Sequence, residues 1–414
     1  MKIIFDLDGT LFQTQYCDIN AVNRLFDELG LIRPNENDIT HGIGKKTGDF
    51  LRGLLPTEIE LNMNKVRQRF RELEQQEVHE NGILFPYVYT MLNQLVLNGH
   101  SLYICSNGSL EYIELVLQRT KIGEFFCEIH SAKEYDSKAD AVNSIIGKEK
   151  RAVVIGDTNS DIEAANRNKI PSIAVTYGYG YKDDLRKATF IAENAMEIID
   201  YVIQIEVFYH IKHQLIDRGR RIIGINGVDT SGKTVFTGKY SRFLESIGLK
   251  NIVLHIDDFH NPSQIRYQGE NEIDAYYNNA FNYKQVIDEI LEPLQKAGYL
   301  DKEVLCLDLD TDTYEKLIHF QIDKNTILLI EGVLLFREPL LSFLEGKVFL
   351  NISFEEVMNR ALLRDVPKYG ETFLQKYSKK YIPIQKRYLL EHNPEQNSDI
   401  VIDNEDFLKP RIVK

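Results

Sequence analysis

Asp6 and Asp8 stand two residues apart at the end of an apolar run, Lys2–Phe5, so both carboxylates project from one side of an extended chain. Like charges that close are stable when a cation neutralises them or one keeps its proton, a division of labour that suits a nucleophile beside an acid. An Asx-type turn at a strand end is the other reading of these residues alone. A second stretch, residues 227–234, reads Gly-Val-Asp-Thr-Ser-Gly-Lys-Thr and fits G-x-x-x-x-G-K-[ST]. In such a loop Gly227, Ser231 and Gly232 let backbone N–H groups wrap an anion, Lys233 reaches the β- and γ-phosphates, and Thr234 offers a hydroxyl to Mg²⁺. ATP and Mg²⁺ are the ligands this loop predicts.

These residues need strands and helices to hold them. Residues 221–226 read as a short buried strand ahead of the loop and 235–246 as the helix after it, the context the motif requires. In the first half, residues 101–105 form a second strand that ends at Ser106-Asn107-Gly108-Ser109, where a hydroxyl either binds phosphate or caps the next helix. Lys138 opens a helix, with Lys133 a second candidate cation. Residues 152–155 then deliver Gly156-Asp157-Thr158-Asn159-Ser160-Asp161 to the same edge as Asp6 and Asp8. Residues 14–85 carry apolar positions at helical spacing, for instance Val22, Leu25, Phe26 and Leu29, and read as a helical insert. The break His41-Gly42-Ile43-Gly44-Lys45-Lys46 inside it reads first as a joint between helices, and second as a basic turn that touches an anionic substrate. The closing strand and loop of this half fall at 175–180, and amphipathic residues 205–218 predict a helical connection to the next.

In the second half, residues 251–256 predict a strand ending at Asp257-Asp258-Phe259-His260. Residues 326–330 predict another, ending at Glu331-Gly332. Arg360 and Arg364 lie four apart on one helix face. The polar, aromatic stretch containing Arg266, Tyr267, Asp274, Tyr276, Tyr277, Phe281 and Tyr283 is expected to line a polar site, a solvated face being the alternative.

Composition narrows the classes. A chain of 414 residues exceeds one ordinary hydrophobic core, and two domains are expected. No apolar run is long enough to span a bilayer, and Asp6 and Asp8 interrupt the start too early for a signal peptide. The four cysteines, Cys17, Cys105, Cys127 and Cys306, form no C-x-x-C pair, which predicts a reduced, cytoplasmic protein. The formal net charge of −13 argues against nucleic acid as a partner.

Taken in order, D-x-D-G-T, a strand-ending Ser, a Lys and G-D-T-x-x-D resemble the haloacid dehalogenase superfamily of phosphatases over about residues 1–203. The resemblance implies that Asp6 attacks phosphorus, that Asp8 protonates the leaving oxygen and later activates water, and that Ser106 and Lys138 hold the phosphoryl oxygens. It further implies that Asp157, with Asp6 and the Asp8 carbonyl, ligates Mg²⁺ with support from Asp161. The insert looks like the small cap of phosphoglycolate-phosphatase-like members, which closes on substrate. Lys138 is followed by Ala-Asp where that family commonly has Pro.

Residues 204–414 resemble the uridine kinase and phosphoribulokinase family, through the Lys233 loop, D-x-F-H, an apolar strand with Glu-Gly, and R-x-x-x-R-D opening a lid. This resemblance implies that Asp257 is the base for an acceptor hydroxyl and Glu331 a Mg²⁺ or water-organising acid, with Arg360 and Arg364 meeting phosphoryl charge. Tyr369-Gly370 stands where many relatives carry Arg-Gly, so the lid has one positive charge fewer. The expected fold class is α/β, with two doubly wound parallel-sheet domains: a capped phosphatase domain (1–203, cap about 14–85) and a kinase domain (204–414). The expected function is a phosphatase for a small phosphorylated metabolite fused to an ATP-dependent kinase for a small hydroxylated one. A polynucleotide end-healing enzyme and a regulatory protein with one inactive domain are the rivals. Both activities on one position of one substrate would merely hydrolyse ATP, so distinct substrates or positions are expected.

Overall fold

The strand ahead of Asp6 is β1, Lys2–Phe5, and it lies in the middle of its sheet with Ile3, Ile4 and Phe5 fully buried. A central parallel strand is covered on both faces, which is why its sequence is a continuous apolar run and does not alternate. In this computed structural model, which describes residues 1–45, 47–56 and 62–414, the chain divides into two units, Met1–Val202 and Ile203–Lys414. Lys46 of the basic turn, and residues 57–61 of the expected insert, lie outside the described residues.

The first unit holds β2 (Ser101–Ser106), β3 (Phe126–Ser131), β4 (Ala152–Gly156), β5 (Ser172–Val175) and β6 (Phe190–Ala192), in the order β3-β2-β1-β4-β5-β6 and parallel throughout. Phe5 sits opposite Ile104 of β2 and Ile155 of β4, so the chain leaves all three strands at one edge. The closing strand and loop expected at 175–180 meet only the last residue of β5, and β6 lies outside β5 in the sheet. At three residues β6 is too short to show a period. Helices Thr14–Glu28, Glu36–Thr40, Thr47–Leu54 and Met63–Asn81 make up the insert and share a core of their own around Val22, Leu25, Phe26, Phe50, Phe70 and Leu73.

The second unit orders its main sheet β14-β13-β12-β7-β11-β8. Its parallel strands are β7 (Ile222–Gly227), β8 (Asn251–His255), β11 (Ile327–Gly332), β12 (Gly346–Asn351) and β13 (Ile400–Asp403). Strand β14 (Arg411–Ile412) runs antiparallel to β13. A separate antiparallel hairpin pairs β9 (Leu300–Asp308) with β10 (Thr313–Ile322). The sequence reading misses β12, β14 and this hairpin. Within β10 only Phe320 and Ile322 are buried among charged and polar neighbours, so the apolar signal is sparse. Helix Ala195–Gln214 carries the chain from one unit into the next, as the amphipathic pattern predicts. The fold is α/β with two parallel-sheet domains. Among the described residues no helix is long and apolar enough to cross a membrane.

Candidate active sites

At the carboxyl edge of the first sheet, the Lys138 ammonium lies 2.5 Å from Asp6 Oδ1 and 2.6 Å from Asp161 Oδ1, all three side chains buried. The local sequence explains the placement. Ser137 caps the helix Lys138–Ile146 by accepting from the Asp140 N–H, which fixes Lys138 in the first turn facing the sheet edge. Thr158 and Asp161 form a capping box that starts the helix Asn159–Asn168 and holds Asp161 against β4. A Cβ on Gly156 would lie 2.1 Å from the Asp161 carboxyl carbon, and one on Gly178 would lie 2.3 Å from Asp157 Cβ. Glycine at both positions is what lets these carboxylates approach. Asp157 Oδ2 also accepts from the Tyr179 N–H at 2.6 Å.

Asp6, Asp157 and Asp161 offer oxygens that all lie within 4.8 Å of one another, with Lys138 the cation paired to two of them. Burial, then the Asp161 charge, pushes Asp157 up to about 7. Burial also raises Asp6 well above the usual carboxylate range, against the pull of Lys138. Burial works against the Lys138 ammonium, yet Asp161 and Asp6 outweigh it and raise its pKa. Three hard carboxylate donors sharing one ammonium fit a divalent cation such as Mg²⁺.

The Asp8 carboxylate turns elsewhere. Its Oδ1 accepts from Thr14 Oγ1 at 2.6 Å and from the Tyr112 hydroxyl at 2.7 Å, and burial raises its pKa despite both hydrogen bonds. Asp8 lines a cavity of about 100 Å³ whose other walls come from the insert, among them Asp18, Gly42, Lys45, Arg71 and Glu74, from residues 107–109, Glu111 and Tyr112, and from Lys133. Residues 42–45 of the basic turn, read first as a joint, therefore border this cavity, and Asn107 Nδ2 donates to Gly44 O at 3.2 Å. Ser109 takes the N-cap role for helix Leu110–Thr120, leaving Ser106 at the strand end, where its Oγ accepts from the Gly108 N–H. Lys138, not Lys133, is the lysine paired with Asp6.

In the second unit the loop after β7 is held by close contacts. A Cβ on Gly227 would meet Ser231 Oγ at 2.5 Å and Leu350 O at 2.8 Å, and Gly232 takes φ +85 at the start of helix Lys233–Ser246. Arg360 donates to Thr230 O at 3.2 Å and Asn404 Nδ2 to Ser231 O at 2.6 Å, bracing the loop from outside. Lys233 Nζ donates to Val228 O at 2.8 Å. A cavity of about 350 Å³ brings together Gly232, Lys233, Thr234, Asp257, Glu331, Arg360 and Arg364, while Gly227 and Ser231 stand behind its lining. Thr234 Oγ1 donates to Glu331 Oε1 at 3.0 Å, and His255 Nδ1 lies 2.6 Å from the same oxygen. Burial opposes the Glu331 carboxylate, but the His255 hydrogen bond and the Lys233 charge prevail and lower its pKa.

The Asp257 and Asp258 pair separates cleanly: Asp257 lines the cavity, whereas Asp258 is paired with Lys316 of the hairpin at 2.6 Å. Arg364 is held by Asp365 and by the Tyr377 hydroxyl at 3.0 Å. The aromatic stretch divides. Tyr277 and Phe281 are buried in the core, because burying large rings outweighs their polar neighbours. Tyr276 instead joins Tyr267 around the Lys380 ammonium, 4.6 and 4.1 Å from their ring centres. Sequence reasoning missed Asp18, Glu74, Thr14, Tyr112 and Asp229. Asp229 occupies a variable position of the loop motif, where no pattern marks it, and burial raises its pKa.

Comparison with known proteins gives the same division. Residues 3–175 match the haloacid dehalogenase-like hydrolase family, and residues 222–384 match the phosphoribulokinase/uridine kinase family. A phosphoglycolate phosphatase of Agrobacterium fabrum is 27% identical over 187 residues, spanning 42% of this chain and 80% of the relative. A 5'-nucleotidase of Pseudomonas aeruginosa is 27% identical over 196 residues, spanning 45% and 86%. A possible uridine kinase from Bacillus stearothermophilus is 24% identical, with a TM-score of 0.36, over 44% of this chain and 88% of that one.

Proposed function

We propose that this chain, a haloacid dehalogenase-like hydrolase domain followed by a phosphoribulokinase/uridine kinase-family domain, is a bifunctional enzyme. Its first site hydrolyses a small phosphomonoester, and its second transfers phosphate from ATP to a hydroxyl of a small metabolite. The observation that carries the reading is the buried group of Asp6, Asp157 and Asp161 around Lys138, next to a cavity where Asp8 sits apart. Asp6 is the nucleophile: its carboxylate forms the bond to phosphorus as the ester oxygen leaves. Lys138 neutralises charge that would repel the phosphate dianion, and Ser106 donates to a phosphoryl oxygen. Asp8, whose pKa burial raises, gives its proton to the leaving oxygen and then takes one from the water that attacks the aspartyl-phosphate. Asp6, Asp157, Asp161 and the Asp8 carbonyl would hold Mg²⁺. Bound there, the ion supplies a Lewis acid for the phosphoryl oxygens.

In the second site the loop backbone and Lys233 cradle the ATP phosphates, with Arg360 and Arg364 facing the transferred group. Asp257 takes the proton of the acceptor hydroxyl, and Thr234 and Glu331 are the groups for the Mg²⁺ that accompanies ATP. The charge of −13 and a cap-walled cavity favour small substrates over nucleic-acid ends. Borohydride trapping tests the first half. Full-length protein mixed with acetyl phosphate and Mg²⁺, then reduced, should carry homoserine at position 6 by mass spectrometry. Label on another residue contradicts Asp6 as nucleophile. Screening ATP consumption against unphosphorylated polyols, sugars and nucleosides tests the second half.

A further inference from the structure

His255 is the last residue of β8, and the parallel register sets it directly opposite Glu331 of β11. Residues paired across a parallel ladder send their side chains to the same face, so the strand pairing itself brings the imidazole to the carboxylate. His255 Nδ1 lies 2.6 Å from Glu331 Oε1, and Thr234 Oγ1 donates to the same oxygen at 3.0 Å. Burial works against the Glu331 carboxylate, but the His255 hydrogen bond and the Lys233 charge keep it ionised. An ionised carboxylate only accepts, so the hydrogen of the 2.6 Å contact sits on Nδ1. The neutral Nδ1–H tautomer and the imidazolium both carry that hydrogen, and the contact therefore holds in either state.

Both donors share Oε1, which leaves the second oxygen of Glu331 for a ligand in the cavity that Glu331, Thr234 and Lys233 line. A hydroxyl and an ionised carboxylate side by side next to the phosphate loop are hard oxygen donors of the kind Mg²⁺ takes. Thr234 is itself one of the groups for the ion. His255 is not, so it can fix Glu331 without competing for the metal. We propose that His255 is a positioning residue for the Mg²⁺ of the nucleotide, its Nδ1–H pinning Glu331 Oε1 and so holding the carboxylate beside Thr234. The assignment rests on the kinase reading of the second unit.

The test measures ATP binding to the full chain by calorimetry, once with saturating Mg²⁺ and once with EDTA. In His255→Ala the factor by which Mg²⁺ tightens ATP binding should fall about tenfold or more, the scale for losing a group that orients a metal ligand, while metal-free binding stays within about twofold. His255→Asn places an uncharged amide N–H near the Nδ1 position and should restore most of that factor. In a Glu331→Gln background His255→Ala should have little further effect, because the group it acts through is gone. The His255 side chain is 38% exposed, and His255→Leu, which fills similar volume without a donor, serves even where His255→Ala fails to fold. Four results overturn the positioning role alone: wild-type ATP binding that ignores Mg²⁺, an unchanged Mg²⁺ factor in folded His255→Ala or His255→Leu, an equal loss with and without Mg²⁺, or His255→Asn as weak as His255→Ala. Wild-type protein that binds no ATP under either condition overturns the kinase reading and the role with it.

Discussion

The two sites sit alike, at the carboxyl ends of parallel strands, but they confront phosphate with opposite materials. The first crowds Asp6, Asp157 and Asp161 about Lys138 in a buried space, where burial holds protons on Asp6 and Asp157 until a cation joins them. The second offers loop backbone, Lys233, Arg360 and Arg364, with Glu331 held by His255 and Thr234. The difference teaches where each site is vulnerable. Carboxylates brought close by burial depend on protons and metal, whereas a backbone cradle depends on the conformation of a few glycines.

The sharpest way to break the comparison is to remove the residue that only one site needs. Asp6→Asn should lower phosphate release from acetyl phosphate by ~10⁴-fold or more, the scale for losing a nucleophile. Phosphate release kept in that variant removes Asp6 from its role. Asp257→Asn should lower phosphoryl transfer to an acceptor by ~10²–10⁴-fold, the usual contribution of a positioned base. ATP affinity by calorimetry should change little, because the proposed base lies outside the phosphate loop, residues 227–234. A wild-type transfer rate would place the base elsewhere.

Protons and metal give a smaller, more graded contrast. In metal-free protein the folded state keeps a proton on Asp157 up to about pH 7, while the unfolded chain releases it near 3.8. The folded state therefore binds more protons across that interval, and its stability falls as pH rises through it. Mg²⁺ requires the ionised carboxylates, so it should stabilise more at pH 8 than at pH 5.5, with ~2.7 kcal/mol available at a hundredfold excess over Kd. Thermal scans of the full chain with and without Mg²⁺ check this, and equal shifts at both pH values contradict it. The smallest effect belongs to Asp258→Asn. Its partner Lys316 is half-exposed, so losing the pair should change acceptor turnover by less than about fivefold. A loss as large as that of Asp257→Asn would reverse the two assignments.

How legible each site was follows from how it is built. The loop is one contiguous stretch with its strand and helix beside it, so residues 227–234 could be read directly. The carboxylate site is scattered between Asp6 and Asp161 and became readable only because each residue follows a buried strand or opens a helix. Asp18 and Glu74 carry no such mark. They occupy ordinary positions of amphipathic helices, and only the folding of the insert shows that they line a cavity. Strand β6 and the hairpin β9–β10 escaped for a related reason, since short or half-exposed strands leave little apolar pattern. The preference for Lys138 over Lys133 likewise needed coordinates, because sequence order allows both.

Two phosphoryl-transfer sites that work independently are the central claim, and a crossed pair of substitutions in the full-length protein tests it most directly. Phosphate release from acetyl phosphate and calorimetric binding of Mg²⁺-ATP are measured on wild type, Asp6→Asn and Lys233→Ala. Asp6→Asn should lose phosphate release and bind Mg²⁺-ATP as wild type does. Lys233→Ala should weaken Mg²⁺-ATP binding by about tenfold or more, since it removes a charge-assisted contact to phosphate, and release phosphate at the wild-type rate. Loss of both properties in either variant, or phosphate release that requires Lys233, would contradict two separate sites.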